Sequence, residues 1–137
     1  MTFRTTRLLT VALLGACLAL VAAIPALATL KKGVTSAVNV TLNKSNEFRF
    51  VLSKSSVPAG TVKFTFTNNG ILPHDFKLCS SNAGGTATAC TGKVTPMVTP
   101  GNSATLTVNL TKAGKYEYLC TVSGHAAAGM NGLVTVK

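Results

Sequence analysis

Beyond Leu30, apolar and polar positions alternate with a period of two. In Thr61-Val62-Lys63-Phe64-Thr65-Phe66-Thr67, every second side chain is apolar, and Thr105-Leu106-Thr107-Val108-Asn109-Leu110 repeats the pattern. A strand with one face buried and one in water requires this alternation. Short β-branched and aromatic runs over residues 34–42, 47–53, 61–67, 74–79, 103–110, 115–120 and 133–137 are predicted as strands. Turn residues separate them: Asn43-Lys44-Ser45-Asn46, Pro58-Ala59-Gly60, Asn68-Asn69-Gly70, Pro100-Gly101-Asn102 and Lys112-Ala113-Gly114. No segment after residue 30 carries a 3.6-residue apolar stripe. About seven strands in roughly a hundred residues predict an all-β, Greek-key β-sandwich. Residues 80–102 are the least regular part and read as a long excursion.

The N-terminus has a different pattern. Arg4 and Arg7 precede an uncharged, Leu/Ala/Val-rich stretch from Leu8 to Leu30. A basic region followed by an apolar one is the pattern of an export signal. Ala26-Leu27-Ala28 offers a small-x-small cleavage site, so residues 1–28 are expected to be a targeting helix and 29–137 the mature domain. Two alternatives stay open: a retained membrane anchor, since the stretch is long enough to span a bilayer, and a lipoprotein, since Leu14-Gly15-Ala16-Cys17 resembles a lipidation box. All three place the domain outside the cytoplasm, in a bacterial periplasm or on the outer face of the membrane. Membrane attachment is expected only if the segment is retained.

Charge narrows the partners. The 137-residue chain carries a formal net charge of +10, of which +8 belongs to residues 29–137. The lysines are dispersed, as on a solvated basic surface or one that steers toward an acidic partner. Scarce arginine, export and the lack of a binding motif exclude nucleic acid.

The four cysteines take separate roles. Cys17 lies in the targeting segment. Cys79 and Cys90 bracket a polar, Gly-rich stretch that could close on itself as a disulfide in an oxidising compartment; the alternative is that one of them binds metal. Cys120 begins the run Cys120-Thr-Val-Ser-Gly-His125-Ala-Ala-Ala-Gly-Met130, in which a thiolate, an imidazole and a thioether follow at intervals of five. The other of the chain's two histidines is His74, in Ile71-Leu72-Pro73-His74-Asp75-Phe76. Two His, one Cys and a weak axial Met are the ligands of a mononuclear blue copper site, which passes single electrons. Singly, each residue has an ordinary reading: a surface His, a buried Cys, a core Met. Met97 reads as core packing or loop filler. Alternation puts Tyr116, Tyr118 and Cys120 on one face, with Cys120 emerging inward at the strand end and Glu117 turned to solvent. Tyr116 reads as a structural corner tyrosine.

These segments resemble the cupredoxin, or blue type 1 copper, family of plastocyanin- and azurin-like proteins. The likeness rests on Ser56 to Phe64, Asn68-Asn69-Gly70, His74-Asp75-Phe76 and Gly114 through Met130, and it covers residues 35–137. The Cys-x4-His-x4-Met spacing is similar to that of rusticyanin and sulfocyanin and longer than that of plastocyanin. The resemblance implies a copper ion held by His74, Cys120, His125 and Met130. It also implies a partly exposed His125 inside an apolar rim of Ala126, Ala127, Ala128, Ile71, Leu72 and Pro73. The expected partners are larger redox proteins, such as cytochromes, oxidases or reductases, and the chain is expected to be a monomer. Asp75 departs from the Asn or Ser that many family members carry there; it either lowers the reduction potential or hydrogen-bonds across the loop.

A copper oxidase or reductase would need a second centre with further histidines, and both are already used, so an enzyme is not expected. A dinuclear electron-entry site would need two cysteines in the ligand loop. A copper-handling protein is the main alternative, although one built on exposed Met- or His-rich segments does not suit a chain with three Met. A metal-free adhesive sandwich is the last.

Overall fold

A computed structural model describes residues 35–80 and 90–137. The expected targeting segment, residues 1–28, lies outside the described residues. Among the described residues no helix is long and apolar enough to cross a membrane.

Among the described residues, nine strands form two sheets. They are β1 (Thr35–Asn43), β2 (Asn46–Leu52), β3 (Ser56–Val57), β4 (Gly60–Thr67), β5 (Lys77–Cys79), β6 (Gly92–Val94), β7 (Ser103–Leu110), β8 (Gly114–Leu119) and β9 (Asn131–Val136). One sheet has the order β2-β1-β4-β7 and the other β3-β9-β8-β5-β6. The chain thus crosses repeatedly between sheets, which makes β1 parallel to β4 and β3 parallel to β9 while the other neighbours are antiparallel.

The alternating pattern becomes the core. Val38 and Val40 of β1 stand opposite Phe64 and Phe66 of β4, and all four side chains are fully buried. The second sheet meets them with Leu78, Tyr116, Val134 and Val136. Phe50 is the hub of the aromatic packing: its ring meets Phe66, Phe76 and Tyr118 edge-on at centroid distances of 5.5, 5.3 and 6.0 Å. Edge-to-face pairs at such distances add to the stabilisation from burial alone. The Tyr116 hydroxyl donates to the Lys112 carbonyl at 2.9 Å, the corner role expected of it.

Three expectations need correction. The two strands beyond the expected seven are β3, only two residues long, and β6, whose three residues are all exposed and so show no alternation. The strand expected over residues 74–79 pairs regularly only from Lys77. Before it, His74 makes an isolated bridge with Val98, and the Phe76 N–H donates to the Thr95 side-chain oxygen at 3.0 Å in place of a ladder carbonyl. Finally, Glu117 is buried, not solvent-facing. The register pairs Lys77 with Leu119 and Leu78 with Tyr118, so Cys79 is the next residue opposite Glu117. The Cys79 sulfur lies 3.8 Å from Glu117 Oε2. That outer face is covered where the Cys79–Cys90 disulfide crosses it. The disulfide itself forms as expected.

Candidate metal centre

Cys120 follows the last residue of β8 and is 1% exposed. Tyr118, two residues earlier, stacks on Phe76 at 5.6 Å, so this face of the strand points into the sandwich and Cys120 follows it inward. From there the chain turns through residues 121–129 in a compact loop. His125 N–H donates to Val122 O at 3.1 Å, Ala128 N–H to Gly124 O at 2.9 Å, and Gly129 N–H to Ala126 O at 3.0 Å. Gly124 and Gly129 have φ of 82° and 108°, values that side chains resist, and these let the loop close. Closure is fixed by two bonds between candidate ligands: Cys120 N–H to Met130 O and Met130 N–H to His125 O, both 3.0 Å. Met130 is fully buried beneath this loop.

His74 arrives from the other sheet, on the connection after β4. Fully buried Asn68 holds that connection: its side-chain amide donates to Leu72 O at 2.7 Å and Val98 O at 2.8 Å, and its oxygen accepts Gly70 N–H at 3.0 Å. Val98 is therefore held both by Asn68 and by its bridge to His74, so the irregular stretch before β7 walls the site.

Three donor atoms converge. His74 Nδ1 and His125 Nδ1 are 3.1 Å apart, and Cys120 Sγ lies 3.9 Å and 3.7 Å from them. The point equidistant from all three lies about 2.1 Å from each, within a few tenths of an ångström of the bonds that nitrogen and sulfur ligands make to a first-row ion. Soft sulfur with two imidazoles suits copper, and the donor set fits that ion. His74 is fully buried and His125 half-buried, so one edge of the triangle faces the surface. Around that edge Ile71 is 83% exposed, Leu72 and Pro73 are exposed, and Ala127 and Ala128 are exposed, forming the expected rim. Ala126 is half-buried, with its carbonyl taken by the Asn131 side chain at 2.8 Å. Met97 is exposed loop filler.

Burial favours the neutral forms of Cys120 and His74 before metal binds. Burial pushes the Cys120 thiol up to about 11, against the pull of backbone N–H groups of Asp75 and Val122. Burial also holds His74 below its ordinary value, while Glu47 opposes that shift. A ligating thiolate must lose its proton, so metal binding at neutral pH releases one. Asp75 takes the cross-loop role: its carboxylate accepts both the Thr121 N–H, at 2.6 Å, and the Thr121 hydroxyl.

Two residues near the site gave no signal in the sequence. Phe48 packs edge-on against both imidazoles, with centroids 5.0 Å from His125 and 6.3 Å from His74. Glu47, beside it in β2, reaches toward the far nitrogen of His74. Neither lies near the ligands in sequence, and only the pairing of β2 brings them there.

A profile of copper-binding proteins of the plastocyanin/azurin family matches residues 36–137. The chain belongs to this family. It is 33% identical over 104 residues to the copper-resistant cuproprotein CopI of Rubrivivax gelatinosus, a match covering 68% of this chain and 62% of that one. CopI of Pseudomonas aeruginosa is 49% identical over 41 residues, covering 30% of this chain and 23% of that one. The chain thus spans less than two thirds of these curated relatives. Among solved structures, dithionite-reduced auracyanin from Roseiflexus castenholzii is 27% identical, with a TM-score of 0.57 over 75% of this chain and 96% of that one. Rusticyanin from Thiobacillus ferrooxidans is also 27% identical, with a TM-score of 0.55 over 75% and 77%. Auracyanin A, a "blue" copper protein from Chloroflexus aurantiacus, is 26% identical, with a TM-score of 0.57 over 76% and 100%. The cupredoxin sandwich expected from the sequence is the fold of this chain.

Proposed function

We propose that this chain is an exported, mononuclear copper protein that carries single electrons between larger redox partners. The observation that carries this reading is the triangle of His74, Cys120 and His125 donor atoms, drawn from two remote segments and set under the rim of a rigid sandwich. In this reading His74, Cys120 and His125 would hold the ion through their converging donor atoms, with the buried Met130 as a fourth, weaker sulfur donor. Bound copper supplies a one-electron couple between its two common oxidation states. The protein's part is to hold the donors in one arrangement for both states. Asn68, Asp75 and the hydrogen bonds joining Cys120, His125 and Met130 do this by fixing both ligand segments. His125, half-buried within an apolar rim, gives a partner its approach, and the dispersed lysines favour an acidic docking surface. No substrate-binding or second metal group is needed for such a role, so the chain acts as a carrier and not as an enzyme.

The test is a visible absorption and electron paramagnetic resonance spectrum of the purified protein with one equivalent of Cu(II). An intense thiolate-to-copper band, bleached by ascorbate and restored by an oxidant, is expected. A pale spectrum with no such band removes Cys120 from the ligand set and the carrier reading with it.

A second reading rests on the CopI relatives, whose name is copper-resistant cuproprotein. Here the same site binds copper to protect the cell. The two readings separate on one comparison. A resistance protein restores copper tolerance to a sensitive host in proportion to the copper it binds. A carrier exchanges electrons quickly with a c-type cytochrome, and its loss leaves tolerance unchanged.

A further inference from the structure

The side chain of Glu47 occupies an unusual position. Its Oε2 accepts the backbone N–H of Ile71 at 2.8 Å and of Leu72 at 3.2 Å, and lies 3.5 Å from His74 Nε2. That nitrogen is fully buried and has no hydrogen-bond partner in normal range. A buried N–H without an acceptor is costly, and Glu47 is the carboxylate beside it. The neighbouring backbone is shaped to admit this carboxylate: a Cβ at Gly70 would collide with Glu47 Oε2 and come within 2.7 Å of Leu42 Cδ1. The other ring nitrogen, Nδ1, is the one that joins the donor triangle.

We propose that Glu47 is a positioning residue for the metal centre: its carboxylate accepts the His74 Nε2–H together with the two amide N–H groups of the preceding loop, so that the proton stays on Nε2 and Nδ1 is left bare and aimed at the metal. The inference rests on the reading of His74 as a ligand. Such a carboxylate–histidine–metal relay fixes the tautomer and ring orientation and makes the ligating nitrogen more basic. Here it does one thing more. Because one oxygen holds both the loop before the ligand and the ligand's far side, the ring cannot rotate without the loop moving. The carboxylate's negative charge, delivered through the imidazole, stabilises the higher oxidation state of a bound ion.

Three measurements on the purified protein test this. In the metal-free form at neutral pH, long-range proton–nitrogen spectra should show His74 as the Nε2–H tautomer, and Glu47→Ala should yield a mixture. In Cu(II)-loaded protein, Glu47→Ala should weaken copper affinity about ten- to a hundredfold, measured by competition with a chelator. Glu47→Gln keeps an oxygen acceptor but loses the charge. It should restore most of the affinity and leave the reduction potential more positive than in the parent, a combination that loss of packing alone does not produce. Unchanged affinity and potential in Glu47→Ala overturn the proposal. If Glu47→Ala does not fold, an unchanged potential in Glu47→Gln overturns it instead. If the parent protein shows no thiolate-to-copper band, the ligand assignment fails. The metal-free tautomer still decides whether Glu47 holds His74, and an Nδ1–H tautomer refutes the proposal on its own.

Discussion

Asp75 and Thr121 join the two halves of the candidate metal centre. Asp75 follows His74, Thr121 follows Cys120, and the carboxylate of the first accepts both the N–H and the hydroxyl of the second. The segments are 46 residues apart in sequence, so this clasp ties together the stretches that carry the two candidate ligands.

Removing the clasp should be expensive. Asp75 is 4% exposed, and its loss removes the acceptor of both a backbone N–H and a hydroxyl of Thr121. Asp75→Ala is expected to cost about 1–3 kcal/mol, with Asp75→Asn costing less than half of that because one acceptor oxygen remains. Urea denaturation of the metal-free variants measures both. Equal midpoints for parent, Asn and Ala proteins would show that the clasp contributes nothing.

Cys120→Ser removes the thiolate and keeps the shape. The intense visible band should vanish while the far-ultraviolet circular dichroism of the sandwich stays as in the parent, because the core built on Phe50, Phe64 and Phe66 does not use the metal. Persistence of the band would eliminate Cys120 as a ligand.

Met130→Gln tests the axial position. A thioether favours the reduced ion more than an amide oxygen does, so the potential should fall while copper stays bound. Cyclic voltammetry reads this directly, and a potential equal to the parent's counts against an axial Met130.

The pH dependence of metal-free stability follows from Cys120. Its thiol, ordinarily near 9, is raised to about 11 in the folded protein by burial. Between these values the unfolded chain has lost the proton and the folded one has kept it, so the folded state binds more protons and stability falls as pH rises. The loss should begin near pH 9, approach about 2–3 kcal/mol by pH 11, and disappear in Cys120→Ser. His74 acts in the opposite direction. Its value is lowered on folding, so its contribution is present above the unfolded value of 6.5 and is lost as pH falls. Thermal melts of the metal-free protein from pH 5 to 11 should therefore decline at both ends. A flat alkaline limb would contradict the burial of Cys120.

The Cys79–Cys90 bridge closes a short loop, with a sequence separation of 11. By the chain-entropy estimate its removal in a Cys79→Ser, Cys90→Ser protein should cost about 3 kcal/mol. The bridge lies on the outer face of the second sheet, away from the donor triangle, so the visible spectrum should not change. A shifted band would reveal coupling between that face and the metal centre.

Local pattern along the chain was enough to read the sandwich and to pick out the candidate donors. Alternation in residues 61–67 and 103–110 is local and periodic, and it became β4 and β7 with almost the same bounds. The ligand loop was legible because Cys120, His125 and Met130 lie within eleven residues and their chemistry is distinctive. Contacts that depend on pairing between distant strands were not legible along the chain. Glu117 alternates outward, yet it is buried because Cys79 and its disulfide cross that face. Residues 74–76 look like strand, but Thr95 and Val98 engage them singly, and that irregularity turns His74 toward Cys120. Asp75 met Thr121, and Glu47 met His74, only after 46 and 27 residues of chain had folded back. Such contacts arise from strand order and register, and these are set by the packing of two sheets, not by the pattern along any one segment.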